Sequence, residues 1–308
     1  MRSNDAILFA VLFGSVAAAL LFPHVGVVFQ PYLLYFMMLL LFLSFLRLDF
    51  GAFVDISIPA LLRIAGITAV KLVVLPAGLY GAALLTIPDY AIPVLLLSGI
   101  STGVVAPFIG TLLAADIAQV LRMVVVTSVI VPFSLPCLVR LLVGTEITIP
   151  LEHMIQMLAV VIFIPMVAVV LMRRYAPAVI DMISARQFPI SLIVFSLINL
   201  GVFSKYSTYF FQNPGQILVA VALAYVLSVI YYLTGFILTP GRSRGEKLAA
   251  GVSMAAMNNV LVIVFSSRFF GPLSPTLAAM YMFPFFTMIV PIKLIAQYMM
   301  PVGRSHTR

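Results

Sequence analysis

Acid, thiol and imidazole are scarce in this chain. Its 308 residues include nine Asp and Glu, one cysteine and three histidines. A single cysteine, Cys137, forms neither an intrachain disulfide nor a thiolate metal cluster. The histidines make no metal motif, and two of them, His24 and His306, lie near segment ends. Charged residues are 8% of the chain, where a soluble domain has about 25%. No low-complexity linker divides the chain, and alternating polar strands are absent, which argues against a β-barrel. His153 beside Glu152 at a segment boundary has no nucleophile to activate. No enzyme, cofactor or bound metal is expected.

What the chain has is apolar surface. It is 64% hydrophobic with a mean hydropathy of +1.22. Folded as a soluble globule it would expose far too much of that surface. The same composition excludes a disordered chain and a secreted disulfide scaffold. At about 20 apolar residues per span it suffices for about ten spans, with no room for a soluble domain. Ten apolar segments can be read, over 6–22, 31–46, 58–86, 91–114, 119–143, 152–172, 187–204, 214–239, 247–266 and 275–299. Prolines such as Pro23, Pro88, Pro150, Pro214, Pro240 and Pro272 punctuate their ends, where a residue that cannot continue a helix is tolerated. The run from Arg2 to Phe22 has the look of a signal peptide. A second apolar run follows at once, so a retained first helix is the reading taken.

The net charge of +8 and pI near 9.8 invite a nucleic-acid reading, but the positions of the charges favour topology. With the N-terminus inside, the inner side holds Arg2, Arg47, Arg63, Arg122, Arg173, Arg174, Arg186, Arg242, Arg244, Lys247, Arg304 and Arg308. The outer side holds only Arg140, Lys205 and Arg268, while Lys71 and Lys293 fall within segments. This asymmetry is the positive-inside bias. It implies a multi-pass protein of an inner or plasma membrane, both termini cytoplasmic, with lipid and no nucleic acid among its partners. A monomer is expected.

Ten spans divide into two fives, and an odd number per half inverts the second half relative to the first. The expected fold class is therefore all-α, with ten transmembrane helices in two inverted repeats, residues 1–150 and 151–308. Such carriers place their site near the midplane, where discontinuous helices meet. Two corresponding segments look discontinuous: Ser98-Gly-Ile-Ser-Thr-Gly-Val-Val-Ala-Pro107 in the fourth helix and Gly251-Val-Ser-Met-Ala-Ala-Met-Asn-Asn259 in the ninth. Small residues for close helix packing are the plainer reading of either segment alone.

Lys71 is the sharpest single feature. It stands about 20 Å along the third helix, near the bilayer centre, where an ionisable side chain is costly and marks function by default. Three readings stay open: an ammonium that replaces a bound cation, a group that exchanges protons during transport, or a structural lysine bonded to carbonyls. Asn258 and Asn259 are candidates for substrate contact or interhelical bonding, about 100° apart if helical. Ser98, Ser101, Thr102 and Ser253 are further candidates, although hydroxyls in spans often bond their own helix. Thr127, Ser128 and Ser134 with Ser196 and Asn199 are possible cavity liners. Lys293 is expected to reach the inner interface, Gln297 to be interfacial, and Cys137 to be a small apolar filler.

The arrangement resembles the bile acid:sodium symporter family of ten-helix inverted-repeat carriers over nearly the whole chain. The resemblance is carried by Asp49-Phe50, Lys71-Leu-Val-Val-Leu-Pro76, Asp116 with Pro132 and Pro136, and Met257-Asn-Asn259. It implies a fourth and ninth helix that break and cross, alternating access, and an organic-anion cargo. In that family two sodium ions sit beside the crossing. The positions of their side-chain ligands fall here on Ala106, Pro107, Val120, Val124, Met254, Asn258 and Lys71. Hard cations want several oxygens, and only Asn258 offers one. A register shift of the fourth helix brings in Ser101 or Thr102, but the ninth helix contains no acid. The reading that follows is a carrier of a small or amphipathic organic anion without the usual sodium sites, Lys71 standing for the cation. The alternatives are a sodium- or proton-coupled carrier of another solute, such as an arsenite-type exporter, or a channel or receptor of the same fold.

Overall fold

In lipid a backbone must satisfy its own hydrogen bonds, so apolar runs of this length fold as helices. The computed structural model describes residues 3–46, 57–103, 105–144 and 150–299, and contains helices but no strand among them. Arg2, Arg47, Arg304, His306 and Arg308, and the Asp49-Phe50 pair, lie outside the described residues.

The helices are α1 (Ser3–Leu21), α2 (Pro23–Phe45), α3 (Ile58–Thr86), α4 (Ala91–Ser98), α5 (Ala106–Leu113), α6 (Ile117–Val143) and α7 (Leu151–Tyr175). Then follow α8 (Pro177–Ala185), α9 (Gln187–Lys205), α10 (Ser207–Gln212), α11 (Pro214–Ile237), α12 (Arg244–Ala255), α13 (Asn259–Phe269), α14 (Leu273–Thr287) and α15 (Ile289–Met299). By length and composition α2, α3, α6, α7, α9 and α11 can each cross a membrane, and α14 with α15, bent by 40° at their junction, passes the same test only as a pair, as a broken span or a re-entrant loop. The protein is thus an all-α, multi-pass membrane protein. With 8, 8, 12 and 11 residues, α4, α5, α12 and α13 are each too short to cross about 30 Å of hydrocarbon alone.

Each of the ten expected apolar segments coincides with a helix or with two half-helices. The second begins earlier than expected, at Pro23. Pro31 does not start it but lies inside it, in a 3-10 turn at Gln30–Tyr32. Helix starts follow local chemistry. Pro59, Pro107, Pro177 and Pro214 occupy first turns, where their missing N–H costs nothing. Asp116 caps α6 by accepting from Gln119 N at 3.2 Å. Ser243 and Glu246 form a capping box at the start of α12. Arg63, on α3, pairs with that same Glu246, and Gly245 O accepts from Asp116 N at 2.9 Å. These contacts gather the starts of α3, α6 and α12 at one end of the molecule. Partial burial raises the Glu246 carboxyl, but the Ser243 hydrogen bonds and the Arg63 and Arg242 charges outweigh it, holding the group below its ordinary range.

Two packed groups result. One joins α1 with α9, α2 with α7, and α2 with α9. The other joins α3 with α4, α11 with α12, α6 with α12, α4 with α14, α5 with α6, and α13 with α14. The pair α6–α7 links the groups, with Phe133 and Phe163 ring centroids 6.4 Å apart. Phe13 of α1 stacks on Phe283 of α14 at 4.5 Å, a second link. Glycine sets the tightest approach in the second group. A Cβ on Gly235 would fall 2.5 Å from Gly251 Cα, so α11 and α12 meet backbone to backbone.

Candidate functional site

Both expected interruptions are present, and they touch. The first runs from the end of α4 at Ser98 to the start of α5 at Ala106. The second is shorter, Ala256 to Asn258, so Gly251 and Ser253 of the expected break remain helical. A break leaves carbonyls and N–H groups without helical partners, and buried ones must pair elsewhere. Here they pair with each other. Gly103 N donates to Ala256 O at 2.7 Å, and Asn258 N donates to Ser101 O at 3.0 Å, which makes an isolated antiparallel bridge of Thr102 with Met257. The two bonds are equivalent under a constant offset of 155 residues: the donor at 103 becomes 258, and the acceptor at 101 becomes 256. Only glycine fits position 103, since a Cβ there would lie 2.6 Å from Met257 O.

Side chains complete the crossing. Thr102 N donates to Thr127 Oγ1 of α6 at 2.9 Å, and Thr102 Oγ1 donates to Ser253 O at 2.8 Å. Thr127 Oγ1 in turn donates a hydrogen bond to Met123 O, 2.6 Å away. Ser98 Oγ bonds Tyr231 Oη at 2.7 Å, and Tyr281 Oη donates to Ala255 O at 2.7 Å. The rings of Tyr231 and Tyr281 lie 5.8 Å apart. Neither tyrosine was singled out from the sequence. Both are fully buried, and a tyrosine within an apolar segment rather than at its very end was the available signal.

Lys71 reaches this crossing. Its side chain is 0% exposed. Nζ donates to Met254 O at 3.1 Å, in the last turn of α12, and lies 3.1 Å from Met257 Sδ. Lys71 stands on a π-turn, Val70–Val74, just before Pro76. Proline 76 cannot bond the carbonyl four residues back and would clash with it, and the wider turn relieves that clash while re-aiming its residues. No carboxylate pairs with Lys71 among the described residues. Its compensation is the carbonyl and the negative end of α12. A hydrogen bond to a charged group contributes about 1.5–3 kcal/mol and a helix terminus up to about 2 kcal/mol. The terminus acts largely through that same carbonyl, so the two are not additive; their joint effect is of the order of the roughly 3 kcal/mol insertion cost of a central lysine.

The other candidates separate. Asn258 is not helical, contrary to the expectation of two helical neighbours 100° apart. Its φ of −79° and ψ of 71° make it the N-cap of α13, accepting from Leu261 N at 3.4 Å. Asn259 is 6% exposed, and its Oδ1 has no partner among the described residues, nor do the hydroxyls of Ser101 and Ser253. Ser101, Thr102 and Ser253 meet at the crossing, with Ser98 one turn away on Tyr231. Val120 and Val124 are buried on α6, and Ser128 lies one residue beyond Thr127 on the same helix. Ser134 Oγ has no partner. Ser196 bonds back to Leu192 O, and Asn199 bonds Ser15 Oγ at 2.9 Å between α9 and α1, away from the crossing. Lys293 and Gln297 are exposed on α15. Cys137 is not a core filler. It is exposed, because it shares the outer stripe of α6 with Phe133 and Leu141 at i−4 and i+4. Among the described residues no three of His, Cys, Asp and Glu come together as a metal site. Compared with protein-family models and with curated proteins, the chain matches none.

Proposed function

We propose that the chain is a secondary carrier that moves a small or amphipathic organic anion by alternating access, on the plan of the bile acid:sodium symporters. In this reading it has ten spans in two inverted repeats, 1–150 and 151–308, with cytoplasmic termini. The offset of 155 between the paired crossing bonds supports the repeat. So does the recurrence of packing: α1 with α9 answers α7 with α2, α3 with α4 answers α11 with α12, and α4 with α14 answers α12 with α6. The group of α1, α2, α7 and α9 serves as the panel against which the crossed core rocks.

The buried Lys71 ammonium on Met254 O carries the proposal. Four helix ends meet at the crossing: the C-termini of α4 and α12 and the N-termini of α5 and α13. Each carries about half an elementary charge, negative at C-termini and positive at N-termini, so the four nearly cancel. In its ammonium form Lys71 leaves the site with about one positive charge and, among the described residues, no carboxylate beside it. Such a site favours an anion and needs no dissolved cation to do so. The positions where related carriers offer an amide on the third helix and a carboxylate on the ninth are Lys71 and Met254, and these two residues are hydrogen-bonded to each other. The ammonium thus lies on a cation position and uses a main-chain oxygen as its ligand.

The test is uptake and counterflow of radiolabelled organic anions in proteoliposomes, with and without sodium and across an imposed pH gradient. Saturable, exchanging uptake that ignores sodium supports the proposal. Unsaturable leak indicates a channel, binding without flux a receptor, and uptake driven by the pH gradient a proton-exchanging Lys71.

A further inference from the structure

A groove of about 370 Å3 lies between the C-terminal end of α5 and α15, and none of its lining residues takes part in the crossing. Leu112 forms one wall. Ile289, Val290, Lys293, Leu294 and Gln297 form the other, and their spacing puts them on one face of α15. The groove is open rather than enclosed, and its lining is apolar apart from Lys293 and Gln297. Val290 and Leu294 are 64% and 49% exposed. Among the described residues α15 packs chiefly on α5 and α14, which leaves this face of the helix open.

Lys293 is the unusual member. It is exposed at mid-helix, with no hydrogen bond, ion pair or aromatic partner among the described residues. About six residues of α15 follow it, roughly 9 Å of helix, a depth from which a lysine stem reaches the headgroup layer. The end it points toward is that of the Arg63–Glu246 pair and the Asp116 cap, because α5 ends beside that cap. That end carries the excess of arginine and lysine.

We infer that this groove is a binding site for one acidic phospholipid, an acyl chain lying along Val290 and Leu294 and the phosphate held by Lys293 Nζ with Gln297 beside it. Basic positions between helices on this side of a membrane protein recognise acidic headgroups through such contacts. The inference does not rest on transport: a receptor or channel of this fold would carry the same site.

The test is native mass spectrometry of the full-length protein titrated with phosphatidylglycerol or with phosphatidylcholine of the same chains. The wild type is expected to bind one phosphatidylglycerol at least about fivefold more tightly than phosphatidylcholine, the discrimination one ammonium gives near a headgroup. Lys293→Gln brings the two lipids to within about twofold, and Lys293→Arg keeps the preference. Leu294→Trp fills the groove and weakens both lipids. Arg186→Gln, an exposed cation elsewhere, leaves the preference in place. Equal binding of both lipids by the wild type overturns the inference, as does a preference that survives Lys293→Gln. A disulfide between two copies of a Val290→Cys variant would mean that a second copy occupies the groove, which also overturns it.

Discussion

Replacing Gly103 by alanine tests the crossing without knowledge of any cargo. The added Cβ would lie 2.6 Å from Met257 O and 2.9 Å from Met257 C, both main-chain atoms. An unstrained carbon–oxygen contact is about 3.3 Å or more, so the two interruptions must separate by about 0.7 Å. That movement stretches Gly103 N to Ala256 O and Asn258 N to Ser101 O, the bonds that hold them together. Each is worth about 0.5–1.5 kcal/mol net, and overpacking a tight contact costs about 1–3 kcal/mol. The expected loss is therefore about 2–6 kcal/mol, read as a fall of roughly 5 °C or more in thermal unfolding in detergent. Gly78→Ala is the control: a Cβ there has no atom within 4 Å, and alanine is favoured over glycine in a helix interior by about 0.5–1 kcal/mol. A Gly103→Ala protein that melts with the wild type would refute the contact geometry and, with it, the crossing.

Thr127→Val keeps the shape of the side chain but leaves the buried Thr102 N–H without its acceptor. A loss of about 1–3 kcal/mol is expected, with Thr127→Ser close to wild type; equal melting of all three would place that N–H elsewhere. Glu246→Gln removes a carboxylate held below its ordinary range by Ser243 and two arginines. The wild-type advantage over Glu246→Gln is present above the ordinary carboxylate pKa and fades as pH falls through the lowered native value; an advantage that grows on acidification would contradict the assignment. A bimane label on the sole cysteine, Cys137, is expected to be quenched by brominated lipid, since the residue faces outward; no quenching would return it to the interior.

The architecture was legible because lipid leaves few choices. Apolar length and proline spacing marked where the helices lie, six of them long and apolar enough to cross a membrane, and Gly and Ser within apolar runs marked both interruptions. What remained hidden depended on contacts between distant parts of the chain. The partner of Lys71 lies 183 residues away and is a main-chain oxygen, which no side-chain pattern records. Asn258 was read as helical because a cap and a first turn look alike in a run of small residues. The second interruption was expected to start at Gly251, but that glycine serves the α11–α12 contact instead. Cys137 was misread because a stripe of Phe, Cys and Leu suits lipid as well as a core. Tyr231 and Tyr281 were overlooked among many apolar aromatics, though their hydroxyls close the crossing.

The central proposal is that the Lys71 ammonium does at the crossing what a sodium ion does in the bile acid:sodium symporters, the family the sequence resembles. The direct measurement is the initial rate of organic-anion uptake by proteoliposomes of wild type and Lys71→Gln, in sodium and with sodium replaced by choline. The account predicts equal wild-type rates in both media and a rate at least tenfold lower for Lys71→Gln in choline, about 1.4 kcal/mol of lost stabilisation. Wild-type uptake that collapses without sodium, or Lys71→Gln uptake equal to wild type in choline, would contradict it.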